Sequence, residues 1–452
     1  MIPVLTPEEM KRVDAAAPEP VDVLIGRAGA AVARVALDML GGAYGRRVVV
    51  VAGKGNNGAD GRDAAPRLQR RGVRVIVVDA ADALPVVPPC DLVVDAAYGT
   101  GFRGQYDAPN PRGAPVLSVD IPSGVNGLTG EASENAVRAD VTVTFAALKP
   151  GLLLQPGAQR CGRIELVDIG LDVGGATAHL VEAPDLGVWL PERAPEAHKW
   201  RSAVWVVAGS RGMTGAATLC ARAAMRGGAG MVRLGVPGLE EPAPPTEVVG
   251  RVLPEGGWDR VVLDDLDRFR SLLVGPGLGR TDETRAAVRA LVAAAPVAAI
   301  VDADGLVALG DADAAAGVIA SRRHPTVLTP HDGEFAGLAG DPPGPDRIGA
   351  VRALARRTGA TVLLKGSTTV VAAPDGRVLL ENEGDARLAT AGTGDVLSGV
   401  VAAFLAQGLD GPEAAAGAAF VHAAAGHLGW RRGLVAGDLV DLLPAALSRL
   451  DP

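Results

Sequence analysis

The sequence predicts two α/β domains fused in one chain, each built on a parallel sheet covered on both faces. Three observations predict this. Short β-branched runs such as Arg47–Ala52 (RVVVVA) alternate with helical stretches at the spacing of βαβ units. The length, 452 residues, fits two or three domains at roughly 150 residues each. The alternation breaks once, in the Ala-, Gly- and Pro-rich stretch 173–197, and then restarts without a clear internal repeat. The expected layout is therefore a domain at 1–172, a linker at 173–197 and a different domain at 198–452.

Composition narrows the function. Hydrophobic residues make up 48% of the chain, enough for a core in each domain. Gly 60 and Pro 33 accompany long apolar segments, so they read as turns rather than disorder. Aromatic residues at 3% argue against stacking of single-stranded bases, and the net charge of −8 provides no basic footprint for nucleic acid. Cys90, Cys161 and Cys220 form no paired motif, which excludes a disulfide framework or cysteine zinc cluster. No apolar run approaches the ~18 residues of a membrane span, and MIPVLTPEEMKRVD does not read as a signal peptide. The expectation is a cytoplasmic protein, a homo-oligomer, acting on small molecules.

In the first domain, Asp22–Leu40 reads as an amphipathic helix. Strands are expected at Arg47–Ala52, Val73–Asp79, Leu92–Asp95, Val116–Asp120 and Val141–Phe145, with a helix around Asp63–Arg71. Between the first strand and that helix lies AGKGNNGADG, Ala52–Gly61. Its glycines permit close backbone approach, and the helix N-terminus offers free N–H groups to a phosphate, although a purely structural turn is equally open. Asn56, Asn57 and Asp60 favour a ligand, because amide and carboxylate oxygens hold cations or sugar hydroxyls. Asp95 ends the third strand before Gly99–Gly104, and VDIPSG places Asp120 and Ser123 at the fourth. Each alone is commonly a turn former or cap; three together at successive strand ends point to a binding crevice.

These segments, with FAALKPGLL (Phe145–Leu153), resemble the NAD(P)H-hydrate epimerase domain, a Rossmann-like family, over about residues 5–170. The resemblance implies that Asn56, Asn57, Gly58, Ala59 and Asp60, with Gly99, Thr100, Gly101, Phe102, Arg103, Gly104 and Gln105, hold the hydrated dinucleotide. It implies that Asn57, Asp95 and Ser123 ligate K+, and that Asp120 is catalytic, near the reacting carbon. Ala59 departs from the family's usual glycine. A Cβ at positive φ would cost roughly 1 kcal/mol, so the loop is expected to differ there. Lys149 is either structural or a further site residue.

In the second domain, strands are expected at Ala203–Ala208, Leu272–Val274, Ala298–Asp302, Thr326–Thr329, Thr361–Lys365 and Thr369–Ala373. LATAGTGDVLSGVVAAFLAQG (Leu388–Gly408) joins a small-residue turn, Gly392–Asp395, to a long apolar helix. Turn N–H groups and the helix dipole can stabilise a phosphate in transfer, and Asp395 can accept the proton of an attacking hydroxyl. Alternatively Asp395 merely caps the helix. This turn resembles the ribokinase-like superfamily. Four further segments, HKWRSAVWVVAGSRGMTGAA, LLVGPGLG, VDADGL and TPHDGEF, precede LLKGSTTVV in the order of the ADP-dependent NAD(P)H-hydrate dehydratase.

That second resemblance covers about 195–447. It implies that Ala216, Gly277, His331 and catalytic Asp395 face the hydrated nucleotide. Lys365, Gly366, Ser367, Thr368, Thr369 and Gly394 would hold ADP, with Mg2+ as its cation. His331 follows a strand and precedes an acidic helix start, where it can donate to a phosphate or hydroxyl, although a lone His is more often structural. Lys365 is read as closing a βαβ strand. Trp200 stands where the family usually has Gly, which puts the entry loop in question. His179, His324, His422 and His427 show no metal spacing, and His422 and His427, five apart in an Ala-rich helix, read as packing residues.

The two resemblances together imply repair of hydrated NADH and NADPH. The first domain would interconvert the R and S epimers. The second would dehydrate the S form at the expense of ADP, giving NAD(P)H, AMP and phosphate. The alternative is a ribokinase-like small-molecule kinase carrying a non-catalytic Rossmann-like domain for binding or dimerisation. The product separates them, since a kinase accumulates a stable phosphorylated compound.

Overall fold

The computed structural model describes residues 1–240 and 244–450. Residues 451 and 452, the end of the expected second domain, lie outside the described residues. The chain forms two compact units, Ile2–Ala178 and His179 onward. None of the described helices is long and apolar enough to cross a membrane.

The first unit opens with β1 (Ile2–Val4), α1 (Pro7–Ala16) and α2 (Val21–Leu40). The TPEE sequence starts α1, where Thr6 and Glu9 form a reciprocal capping box. There follow β2 (Arg47–Ala52), α3 (Asn56–Arg70), β3 (Arg74–Asp79) and β4 (Leu92–Ala96). The unit closes with β5 (Val116–Val119), β6 (Val141–Phe145), the single turn α4 (Pro150–Leu153) and β7 (Arg163–Val167). The sheet order is β3-β2-β4-β5-β6-β7, all parallel. Alternate residues of β2 feed two cores. Val48, Val50 and Ala52 pack with apolar residues of α2 and α3, and Val49 and Val51 with Val87, Tyr106 and Val137. Burial on both faces is why this strand is continuously apolar.

The stretch expected to be a linker is partly built into the fold. It holds β8 (Ala178–Leu180) and α5 (Ala183–Trp189), and Val181 and Leu186 join the core of the second unit. These few apolar side chains gain more from burial than the Pro- and Ala-rich composition suggests. Next come β9 (Ala203–Val207), α6 (Thr214–Arg226), β10 (Met231–Pro237), β11 (Val249–Leu253) and α7 (Trp258–Leu263). The middle holds β12 (Ser271–Val274), α8 (Asp282–Ala294), β13 (Ala298–Val301), α9 (Asp304–Leu309), α10 (Ala312–Ile319) and β14 (Thr326–Leu328). Then follow α11 (Asp332–Ala339), α12 (Arg347–Thr358), β15 (Thr361–Leu364), β16 (Thr369–Ala372) and β17 (Val378–Glu381). The last helices are α13 (Thr393–Gln407), α14 (Gly411–Leu428) and α15 (Ala436–Leu447).

From β11 the sheet runs β10-β9-β12-β13-β14-β15, all parallel, then β16 and β17, both antiparallel to their neighbours. Lys365 directly follows β15, which is parallel to β14 across α11 and α12 and so ends a βαβ unit as expected; it also opens a hairpin loop to β16. Only Lys365–Thr368 separate β15 from β16, far too few residues for a parallel crossover. β9 has β10 on one side and β12 on the other, so the order reverses there. Such a reversal opens a crevice at the strands' carboxyl ends.

Candidate active sites

In the first unit, β2 ends at Ala52 and α3 begins at Asn56, so the expected glycine turn is largely the first turn of the helix. A Cβ on Gly58 would lie 1.9 Å from the Gly53 carbonyl oxygen, and one on Gly53 would lie 1.9 Å from that of Ala97. Only glycine allows that close approach of β2, α3 and the segment after β4. Ala59 lies inside α3 and is absent from the positive-φ residues. The expected distortion at Ala59 therefore does not arise, because a helical φ accepts a Cβ without strain.

A cavity of about 810 Å³ opens over these strand ends. Asn56, Asn57, Asp60, Gly99, Thr100, Gly101, Phe102, Arg103, Gln105 and Asp120 line it, as do Lys149, Met10 and Asp14. Gly58, Ala59 and Gly104 are outside that lining. Both polar atoms of the Asn57 amide are buried and have no hydrogen-bond partner among the described residues. Orphaned groups of this kind are costly, so they mark a place where a ligand or ion completes the bonding.

Asp95 is buried and saturated. One carboxylate oxygen accepts from Ser123 Oγ at 2.6 Å and the Ala97 N–H at 3.4 Å. The other accepts from Ser118 Oγ and the Ser123 N–H, both at 2.9 Å. Burial pushes its carboxyl up despite these bonds. Asp120 adopts φ 68°, a strained conformation for a non-glycine residue that structures keep mostly at functional sites. Its carboxylate accepts from Lys149 Nζ at 2.6 Å and Thr144 Oγ1 at 3.2 Å. Lys149 is almost wholly buried and also donates to Thr144 Oγ1 and the Phe145 carbonyl. Asp60 is pushed up to about 8, first by burial and then by Asp120, Asp63 and Asp14, with Lys149 acting against them. The cavity thus carries a protonated carboxyl near an ion-paired carboxylate, a pairing able to give and take protons. Asp14 was missed; its signal was its place one helical turn after Met10 in the capped first helix.

In the second unit, Gly392 takes φ 90° and starts α13, with Asp395 in the first turn. Among the described residues no side chain caps this helix, so Asp395 is free for other work. Its carboxyl is pushed up to about 6 by burial and then by Asp302, against the pull of Lys365. Gly394 packs close to Lys365: a Cβ there would lie 3.6 Å from Lys365 Nζ. Lys365 Nζ donates to Asp302 Oδ1 at 3.0 Å and lies 3.7 Å from Glu334 Oε2. Although burial opposes its charge, Asp302 and Glu334 hold the Lys365 ammonium above its usual range.

Ala216, in the first turn of α6, meets Gly277 beyond β12: a Cβ on Gly277 would lie 3.4 Å from the Ala216 methyl. Both lie in the segments that follow β9 and β12, at the sheet reversal. His331 caps α11, its Nδ1 accepting from the Gly333 and Glu334 N–H groups, while the ring stays mostly exposed. His422 is buried in α14, and burial lowers it to about 4, so it is neutral. Its Nε2 lies 2.9 Å from the Thr393 carbonyl, which makes it a brace for the α13 turn. His427 is not a packing residue: it is 41% exposed and faces Asp385 at 3.6 Å. Trp200 packs edge-on against Phe269 at 5.6 Å, with Arg268 stacked 4.1 Å from its ring. Asp302, Ser398 and Glu334 were missed as site residues. Asp302 had a signal, as a carboxylate ending an apolar strand.

A family model described as NAD(P)H-hydrate dehydratase matches residues 204–447. Another, described as YjeF-related protein N-terminus, matches 21–84 and 78–151. The bifunctional NAD(P)H-hydrate repair enzyme Nnr of Mycobacterium tuberculosis is 42% identical over 410 residues, covering 83% of this chain and 82% of that protein. Its Mycobacterium leprae counterpart is 40% identical, covering 90% of each. The chain belongs to the bifunctional NAD(P)H-hydrate repair enzyme family. It is accordingly an epimerase and a dehydratase of hydrated NAD(P)H, the two family models matching separate segments. Among solved structures, a Bacillus subtilis ADP/ATP-dependent NAD(P)H-hydrate dehydratase, co-crystallized with ATP/Mg2+, is 31% identical. Its TM-score is 0.53, and the match covers 60% of the present repair enzyme and 98% of that chain. A ribokinase-like superfamily protein of Enterococcus faecalis, 21% identical with a TM-score of 0.53 over 61% of this chain and 96% of its own, shares the fold.

Proposed function

We propose how the two sites divide the work. Residues 1–172 form the epimerase domain and 198–452 the dehydratase domain. In the first, the cavity over Asn56–Asp60 and Gly99–Gln105 takes the hydrated dinucleotide. Asp120, held by Lys149, faces the reacting carbon. Potassium fits Asn57, whose buried amide oxygen lacks a partner. Asp95 has its acceptor positions filled by Ser118, Ser123 and Ala97, so Asp95 and Ser123 join only by giving up bonds between them. Such a cation would supply charge neutralisation for the dinucleotide's phosphates.

In the second domain, the Gly392–Asp395 turn and Lys365–Thr369 hold ADP, and Ala216, Gly277 and His331 face the S hydrate. Asp395 accepts the proton of the ring hydroxyl as its oxygen attacks the terminal phosphorus of ADP, and AMP leaves. The phosphate then departs with its C–O bonding pair and a proton leaves the neighbouring carbon, restoring the ring double bond. Phosphorylation is needed because hydroxide is a poor leaving group. Among the described residues no cluster of three His, Cys, Asp or Glu side chains could hold a metal. Mg2+ would therefore reach this site on the nucleotide's phosphates, as that hard cation commonly does. We also keep a cytoplasmic homo-oligomer as the expected state.

The observation that carries the dehydratase reading is Lys365 packed beside Gly394 at an uncapped helix start bearing Asp395. The test mixes both epimers, magnesium and ADP or ATP with the enzyme and follows NADH absorbance. Recovery of NADH is expected. Accumulation of a stable phosphorylated product would instead indicate a kinase.

A further inference from the structure

We propose that Asp302 is a positioning residue for the dehydratase, holding Lys365 beside the Gly392–Asp395 turn and tying α13 to the sheet through Ser398. This rests on the reading of Lys365 and Asp395 given above. Asp302 follows β13 directly and is 1% exposed. One oxygen accepts from Lys365 Nζ at 3.0 Å and from the Ala303 N–H at 2.9 Å. The other accepts from Ser398 Oγ at 2.7 Å. One carboxylate thus links the ends of β13 and β15 to the first turns of α13, the three pieces that build the phosphate site.

Two features fit a geometric task. Ala303 is held at φ 52°, a strained conformation that surrounding contacts must impose. The space behind Asp302 is also closed: a Cβ on Gly275 would come within 2.0 Å of the Asp302 carbonyl oxygen. A buried ion pair adds little stability over apolar packing, so its presence points elsewhere. Glu334, at 3.7 Å from Lys365 Nζ, is beyond hydrogen-bond reach and cannot replace Asp302. Without Asp302 the ammonium loses the carboxylate oxygen that fixes its direction.

The test is steady-state kinetics and melting on the full chain. Asp302→Asn keeps the shape and removes the charge that orients Lys365. It is expected to raise KM for ADP about tenfold or more, as Lys365→Ala does. The double variant is expected to be no worse than Lys365→Ala alone, since residues acting through one another are non-additive. A merely structural Asp302 would give multiplied losses in the double variant, which overturns the proposal. An unchanged KM in Asp302→Asn, while Lys365→Ala raises it, also overturns it and leaves the ADP reading standing. An unchanged KM in Lys365→Ala instead sinks the ADP reading. If Asp302→Asn does not fold, Ser398→Ala decides the helix link. Its kcat is expected to fall about tenfold with KM for ADP within about twofold, and an unchanged kcat overturns it.

Discussion

At the scale of single residues, the proposed dehydratase base is set by its surroundings. An ordinary aspartate ionises near pH 4, whereas burial and Asp302 push Asp395 up to about 6. A base must be deprotonated, so kcat/KM for dehydration is expected to fall as pH drops through about 6, and a pH profile checks it. Asp395→Asn is expected to lose at least about a hundredfold in NADH recovery while still binding ADP in equilibrium dialysis. His422 acts at one remove. Burial keeps it neutral, and its contact with the Thr393 carbonyl fixes the turn from which Asp395 projects. Asp60 is the corresponding case in the epimerase, a carboxyl kept protonated by burial and by like charges.

At the scale of elements, close packing of backbone decides which glycines matter. Gly58 faces the Gly53 carbonyl, which an added methyl would strike at 1.9 Å. Gly58→Ala is therefore expected to cost about 1–3 kcal/mol through forced backbone shifts. Epimerase rate should fall about tenfold or more, with dehydratase rate unchanged; melting and the two assays check it. The hairpin beside the proposed ADP loop carries a titrating weakness. Glu381 ends β17, and burial pushes its carboxyl up to about 8, against backbone bonds from Glu383 and Gly384. Its unfolded pKa is near 4.3, so the stability it contributes is full below that and is lost as pH rises toward 8. Glu381→Gln cannot ionise. Its melting temperature relative to the parent enzyme should be higher at pH 9 than at pH 5.

At the scale of the whole molecule, each proposed site draws its residues from one compact unit, so the activities should separate. Given both epimers and ADP, Asp120→Ala is expected to consume only the S form, and NADH recovery should stop at that fraction. Asp395→Ala should interconvert the epimers and recover almost no NADH. Chromatography of the two epimers beside the absorbance trace checks both outcomes. Much of this organisation was legible in the sequence. Arg47–Ala52 and Val141–Phe145 match their strands, and the other expected strands differ from theirs by a residue at an end, because buried parallel strands must be continuously apolar. The strands β1, β7, β8, β10, β11 and β17 were not legible. β11 lies on an edge with mostly exposed residues, and β17 exists because β16 offers it a partner. The motif glycines and the carboxylates at strand ends were legible because ligand-binding turns need small residues and polar tips at those places. Tertiary structure alone decided which of them meet. It removed the strain expected at Ala59 and gathered Asp302, Ser398 and Lys365 into one buried network. Local sequence determines where a strand or helix can form, because period and turn chemistry are local. Which side chains then meet depends on contacts between residues 63 and 96 positions apart, and only the folded chain brings those within hydrogen-bond reach.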